Sequence, residues 1–485
     1  MKRVILSFIA VYLLAGAGSL RAENIGVPSE CEDVMLQCFY WDSHSLKKYG
    51  RTKWADLLPD TTAIRENFDL VWFPPSAKST GGVGYYHVCL SDQGGAWGQK
   101  ASLVKFIDAL HRGNTKAIAD IVINHRGNCS NWCDFCPDDF GGSYGQFLLE
   151  QIHICKGDEC FTTKESTCYA VTKEYRGNSD TGTNDGGARD LDHTSEYVQS
   201  WAKAYVRWMR EVMHYDGFRY DMTRGYAGMY LSMYNQEANP YISVSEFWMD
   251  DIKDPIQHLK DAEYNTMVFD FPLKWKIKDA LGGSSASLNL LSNPSNSFRG
   301  QGLAKYAVTF VDNHDTFERS DNQGAEFGGY NVDLNNATVK SKILQANAYI
   351  LMMPGVPCVF WPHWKSYTAE INKMIGIRKM AGIHSESEVT EESGSGSTYT
   401  ATIQGHHHKV VLRLGKNRDM TTPAGYGCCA NGDHYSIYVE GVQGIETVNS
   451  DELRAKSGVK FMEEGQLRIK CGEKIYNAQG ILLNN

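Results

Sequence analysis

Between residues 34 and about 385 the chain alternates two textures. One consists of short runs that are almost wholly apolar and rich in β-branched and aromatic residues: Val34–Tyr40, Asp69–Phe73, Ala117–Ile123, Gly217–Asp221, Ile242–Glu246, Met267–Asp270, Ala307–Val311 and Val356–Phe360. Runs of this kind suit strands buried on both faces. The other consists of longer stretches with apolar residues at helical spacing, notably Ser102–Arg112, Ser195–His214 and Leu334–Met352. Eight strands alternating with helices predict an α/β protein, a (β/α)8 TIM barrel over 23–385.

Two stretches break this rhythm. About 70 residues rich in Gly, Asp, Asn and Cys separate the third strand from the helix near Ser195, and a loop of that length in a compact domain is usually functional. They predict a small Cys-rich loop domain, 126–193, inserted after strand 3. Beyond Met380, Glu391–Ser397 reads as a linker-like turn. The strand-like runs Tyr399–Gln404, Lys409–Leu414 and Tyr435–Val439 follow it. They predict a C-terminal antiparallel β domain over 386–440. The remaining extension, 441–485, holds a possible hairpin, Leu467–Cys471 with Lys474–Tyr476, and no assigned role.

The N-terminus carries a targeting pattern. Lys2 and Arg3 precede an apolar run from Val4 to Ala17, with a small-residue cleavage site after Ala22. The run is too short to span a bilayer, so 1–22 reads as a signal peptide and the protein as exported: secreted, periplasmic or cell-surface. The net charge is −9, and removal of Lys2, Arg3 and Arg21 makes the mature chain more acidic still. Such a surface argues against nucleic acid. Aromatic residues make up 12% of the chain, which suits a large core or stacking on sugars. Of the 13 cysteines, six fall at positions 129, 133, 136, 155, 160 and 168. Export favours disulfides there. The Cys133-x-x-Cys136 spacing, with His153 nearby, leaves zinc as the alternative.

In barrels of this type, reactive groups stand at the C-terminal ends of strands. Four of the predicted strands end in polar clusters: Asp120-Ile-Val-Ile-Asn124-His125-Arg126, Arg219-Tyr-Asp221-Met-Thr-Arg224-Gly225, Glu246-Phe-Trp248 and Asp312-Asn313-His314-Asp315-Thr316. One such carboxylate is commonly a helix cap or ion-pair partner. Four clusters on one face point to a site.

Together these segments closely resemble the signature segments of the α-amylase family of glycoside hydrolases, nearest its plant-type members, over about residues 34–440. Met35-Leu-Gln37-Cys-Phe39-Tyr-Trp41, Val71-Trp72-Phe-Pro74-Pro75-Ser76 and Pro354-Gly355-Val356-Pro357-Cys358 add to the likeness. The resemblance implies an endo-acting α-amylase. Asp221 is then the nucleophile, Glu246 the general acid/base, and Asp315 the carboxylate that holds the reacting sugar. Arg219 supports Asp221, His125 and His314 bind hydroxyls, and Tyr85 forms an aromatic platform. Glucanotransferases and maltooligosaccharide-forming relatives share the same trio. The implied substrates are α-glucans (starch, glycogen and maltooligosaccharides), and the protein is expected to be a monomer; beyond the leader no stretch approaches the ~20 uninterrupted apolar residues of an integral membrane segment.

The resemblance extends to a Ca²⁺ site. It implies side-chain ligands from Asn124, Asp180 and Asp190 and backbone carbonyls from Thr183 and Gly225, all oxygen donors as Ca²⁺ prefers. Asn184 stands where the plant-type pattern has a carboxylate for a second ion, which argues against a second ion here. The Cys cluster is denser than that pattern.

Overall fold

A computed structural model of the protein describes residues 24–442 except 46–47, 82, 163–175, 184–186, 283–285, 318, 320–332 and 417–420, and four short strands beyond residue 458. The predicted leader 1–22, Cys168 and Asn184 lie outside the described residues.

Eight parallel strands close into a barrel: β1 (Met35–Gln37), β2 (Leu70–Trp72), β3 (Lys116–Ile121), β4 (Gly217–Tyr220), β5 (Ser243–Ser245), β6 (Met267–Phe269), β7 (Ala307–Phe310) and β8 (Val356–Phe360). Each pairs with the next, and β8 returns to β1, with Met35 opposite Cys358. Apart from Lys116, every residue in them is buried. Burial on both faces is why the strands read as unbroken apolar runs. All eight predicted strands are present. Those bearing the polar clusters end sooner than their apolar character suggests: β4 stops one residue before Asp221, and β5 one before Glu246. The chain turns there, and Met222, just after Asp221, has a left-handed φ of 45°.

Helices α1 (Thr61–Asn67), α2 (Lys100–His111), α3 (Glu196–Glu211), α4 (Gly228–Ala238), α5 (Lys253–Asp261), α6 (Phe271–Leu281), α7 (Ala337–Met352) and α8 (Thr368–Ala381) follow the strands in turn. In α3, Val198, Trp201, Ala202, Tyr205, Trp208 and Met209 recur at spacings of three and four and are all buried. That stripe docks the helix on the barrel.

The insertion leaves β3 and returns as one antiparallel ladder, with His125–Arg126 paired to Arg189–Asp190. Disulfides join Cys129 to Cys136 and Cys133 to Cys160. Both sulfurs of the Cys133-x-x-Cys136 pair are thus bonded to other cysteines, and the zinc alternative at this motif fails. Beneath them Arg126 pairs with Asp138 at 2.9 Å, both fully buried.

The C-terminal sheet has five strands: β9 (Glu388–Gly394), β10 (Thr398–Gln404), β11 (Lys409–Gly415), β12 (Tyr426–Gly432) and β13 (Tyr435–Glu440), in spatial order β9-β10-β11-β13-β12. Most of the stretch read as a linker-like turn, Glu391–Ser397, belongs to edge strand β9. Its Glu/Ser/Gly composition hides the strand, because an edge facing solvent needs few apolar residues. Glu392 anchors β9 to the barrel through Arg299, at 2.9 Å, and accepts from Tyr399 Oη at 2.6 Å. The Gly- and Cys-containing β12 likewise lacks an apolar run to mark it as a strand. Beyond it, β14 (Val459–Glu463), β15 (Gln466–Cys471), β16 (Lys474–Asn477) and β17 (Leu482–Leu483) form an antiparallel sheet that includes the anticipated hairpin.

Candidate active site

The geometry begins with one guanidinium. Arg219 and Asp120 sit opposite each other on β4 and β3. Arg219 Nη1 lies 2.6 Å from Asp120 Oδ1 and 2.7 Å from Asp221 Oδ1, and its Nη2 lies 2.8 Å from Glu246 Oε1. The strand alternation that puts Arg219 and Asp221 on one face brings both into the barrel mouth. Burial opposes the charge on Arg219, but its carboxylate neighbours overcome that and hold it well above the usual range. Burial likewise pushes the acids up: Asp120 to about 6, Asp221 to about 7 and Glu246 to about 8, with Arg219 pulling each down. Like-charge neighbours add to the rise at Glu246, namely Asp221 and Asp315. The left-handed turn at Met222 aims its N–H at Glu246 Oε2, 3.0 Å away.

Aromatic rings line the cleft beside these groups. The ring of Tyr85 lies parallel to those of His314 and Trp41, at centroid distances of 5.3 and 6.2 Å. Tyr85 Oη donates to Asp120 Oδ2 at 2.9 Å. Gln37 Nε2 donates to His314 Nδ1 at 3.0 Å, so the ring proton sits on Nε2, which faces Tyr85 Oη at 2.8 Å and Asp315 Oδ2 at 3.1 Å. Burial lowers His314 to about 4, so the imidazole is neutral. His125 Nε2 donates to the Tyr85 carbonyl at 3.1 Å. The resulting cleft, about 430 Å³, is lined by Trp41, Tyr85, Tyr86, His125, Thr183, Asp221, Met222, Arg224, Glu246, Trp248, His314 and Asp315. All six carboxylate, histidine and tyrosine candidates therefore meet in one cavity, with Arg219 beneath its floor.

Asp120 and Trp41 lie within the sequence motifs but carry no role there. Asp120 had a legible signal: it is the one charge inside the apolar run Ala117–Ile123. Gln37 had none.

Of the five calcium candidates, Asn124 touches both Asp190 and Gly225, and the loop carrying Asp180 and Thr183 packs on the backbone at Arg224 and Gly225. Asn124 gives its amide nitrogen to Asp190 Oδ1 at 3.2 Å. Its oxygen packs so closely on Gly225 that a Cβ there would lie 1.8 Å from it. The Asp180–Thr183 loop folds over the same backbone: Thr183 N donates to the Arg224 carbonyl at 2.8 Å, and a Cβ on Gly182 would fall 2.4 Å from the Gly225 carbonyl carbon. Asp180 Oδ2 is buried with no hydrogen-bond partner. Burial raises Asp180 above the usual carboxylate range. An oxygen-rich corner with an unsatisfied buried carboxylate oxygen fits a hard divalent cation.

A parallel barrel with paired carboxylates and aromatic rings at its C-terminal mouth is the arrangement a glycoside hydrolase needs. No protein-family model matches the chain. Probable α-amylase 2 of Arabidopsis thaliana is 27% identical over 427 residues, covering 84% of this chain and 94% of that protein. The α-amylase type B isozyme of Hordeum vulgare is 32% identical over 136 residues, 27% of this chain and 78% of that protein. A glucan 1,4-α-maltotetraohydrolase of Roseateles saccharophilus is 27% identical over 81% of this chain and 69% of its own length. Among solved structures, an Anoxybacillus α-amylase superposes with a TM-score of 0.60 at 14% identity, over 84% of this chain and 98% of that one, which shows the shared fold. The chain belongs to the α-amylase family of glycoside hydrolases.

Proposed function

We propose that the protein is an endo-acting α-amylase that hydrolyses α-1,4-glucosidic bonds in starch- and glycogen-type glucans with retention of configuration. The observation that carries this is the single Arg219 guanidinium bonded to both Asp221 and Glu246 at the floor of an aromatic-walled cleft. A retaining glycosidase needs one carboxylate to attack and one carboxylic acid to protonate the leaving oxygen, about 5–5.5 Å apart. Arg219 favours the ionised form of Asp221, the nucleophile. Burial keeps Glu246 protonated near neutral pH, as an acid must be. Glu246 then takes a proton from water as the glycosyl-enzyme is hydrolysed. Asp315, His125 and His314 hold sugar hydroxyls, and Tyr85 carries the ring.

Calcium deepens this reading. The side chains of Asn124, Asp180 and Asp190 and the carbonyls of Thr183 and Gly225 would hold the ion, which supplies a fixed positive charge joining the insertion to the ends of β3 and β4. The leader and the disulfides support export, since such bonds persist in oxidising compartments. The chain then divides into a leader (1–22), the catalytic barrel (23–385) with its insertion (126–193), the C-terminal β domain (386–440) and the extension (441–485).

The test is incubation of the purified protein with soluble starch, with and without a chelator, with products resolved by chain length. A ladder of short oligosaccharides, appearing early from the interior of long chains, is the expected result. The maltotetraohydrolase relative favours a second reading, a maltooligosaccharide-forming enzyme. One dominant product length would select it, and disproportionation of maltooligosaccharides would select a glucanotransferase.

A further inference from the structure

The segment after Asp315 brings a second arginine to the trio. Arg319 lies four residues on, and its side chain is only 11% exposed. Its Nη1 is 2.9 Å from Asp315 Oδ1. Its guanidinium carbon is 3.4 Å from the centre of the Trp41 ring. Trp41 is one of three parallel rings with Tyr85 and His314, at centroid distances of 6.2 and 6.1 Å from them. The other oxygen of Asp315, Oδ2, faces His314 Nε2 at 3.1 Å. Each oxygen of this carboxylate is thus held from a different side. A planar cation stacked on an indole and bonded to a carboxylate suits arginine and is lost in lysine, which is a point charge on a flexible stem.

We propose that Arg319 is a positioning residue for Asp315. Seated on Trp41, it clamps Asp315 against His314, and it adds positive charge beside the trio. The inference rests on the reading of Asp315 as the carboxylate that grips the reacting sugar. Holding that carboxylate in one orientation matters because its bonds to the distorted sugar are worth most in the transition state. The charge matters because of what faces the cleft: Asp120, Asp221 and Glu246 around Arg219, with Tyr85, His125, His314 and Arg224 nearby. Asp315 already makes Asp221 and Glu246 harder to ionise. Without Arg319 that negative field has less to offset it, and both carboxyls should hold their protons to higher pH.

The experiment compares R319M and R319K in the full-length protein with the parent and with D221N, on soluble starch and a defined maltooligosaccharide, across pH. R319M is expected to lower kcat by about tenfold or more with KM changed by less than about threefold. Both limbs of its pH profile should move to higher pH, which a merely structural role would not cause. R319K keeps the charge, so its limbs should stay in place, while kcat remains severalfold below the parent. An R319M whose kcat is within about twofold of the parent, with unmoved limbs and a parent-like melting temperature, overturns the proposal. If R319M does not fold, R319K decides alone: a lowered kcat at unchanged KM supports the clamp, and a parent-like kcat refutes it. Turnover retained by D221N would instead sink the assignment of the nucleophile, a separate failure.

Discussion

Two buried guanidiniums sit at opposite ends of the barrel and are used differently. Arg219, at the C-terminal end of β4, meets three carboxylates. Arg378, on α8, reaches the other end, where its nitrogens donate to the carbonyls of Leu351, Met353 and Gly355 at 2.8, 3.0 and 2.8 Å, just before β8 begins. Burial works against both charges. At Arg219 the carboxylates overcome it; at Arg378 burial prevails and lowers the group to about 10. One end of the barrel concentrates charge around a cavity, and the other spends its cation on closing the backbone. Chemistry and folding should therefore be separable by end.

The largest effect should come from the mouth. D221N is expected to reduce kcat by at least about a thousandfold while leaving the melting temperature near that of the parent; a variant that loses activity only by unfolding would break the comparison. At the base, R378M should do the reverse. Three buried carbonyls lose their donors, at a cost of about 3 kcal/mol or more, readable by urea denaturation, while activity per folded molecule stays near the parent value. Chelation comes next. If calcium ties the insertion to β3 and β4, its removal should lower the melting temperature by several degrees, since an ion held at a hundred times its Kd contributes about 2.7 kcal/mol. No shift in melting temperature or activity would count against the ion.

The smallest effect is the sharpest. Burial raises Asp120, Asp221 and Glu246 above their unfolded values. Between about pH 4 and 8 the folded state therefore keeps protons that the unfolded chain has released. Stability from these groups is full below the unfolded carboxylate range and declines as pH rises through the folded values. D221N should then be more stable relative to the parent at pH 8 than at pH 5, by differential scanning calorimetry. An identical offset at both pH values would contradict the raised Asp221. Activity should also be bell-shaped near neutrality, needing Asp221 ionised and Glu246 protonated, with limbs that belong to the coupled pair.

How much of this could be read from sequence depends on how each feature is encoded. The barrel strands were legible because burial on both faces leaves an apolar run, and the candidate catalytic residues because they follow such runs in segments that resemble those of the family. The candidate calcium corner was legible only through family likeness; no local pattern ties Asn124 to Asp180. Edge strand β9 escaped because its solvent-facing residues carry no apolar signal. The partners of the cysteines escaped because pairing depends on the path of the insertion, not on spacing. Arg319 escaped for a similar reason: its meaning depends on Trp41, nearly 280 residues earlier in the chain.

Gly225 has a practical consequence for anyone diversifying the loop behind Asp221. The oxygen of Asn124 occupies the volume that a methyl group at position 225 would need. A library that varies this position would displace Asn124, and with it the adjacent His125 at the cleft. Position 225 should therefore accept only hydrogen as its side chain, and sequences recovered from selection for starch hydrolysis should keep glycine there even when every neighbour is free to change.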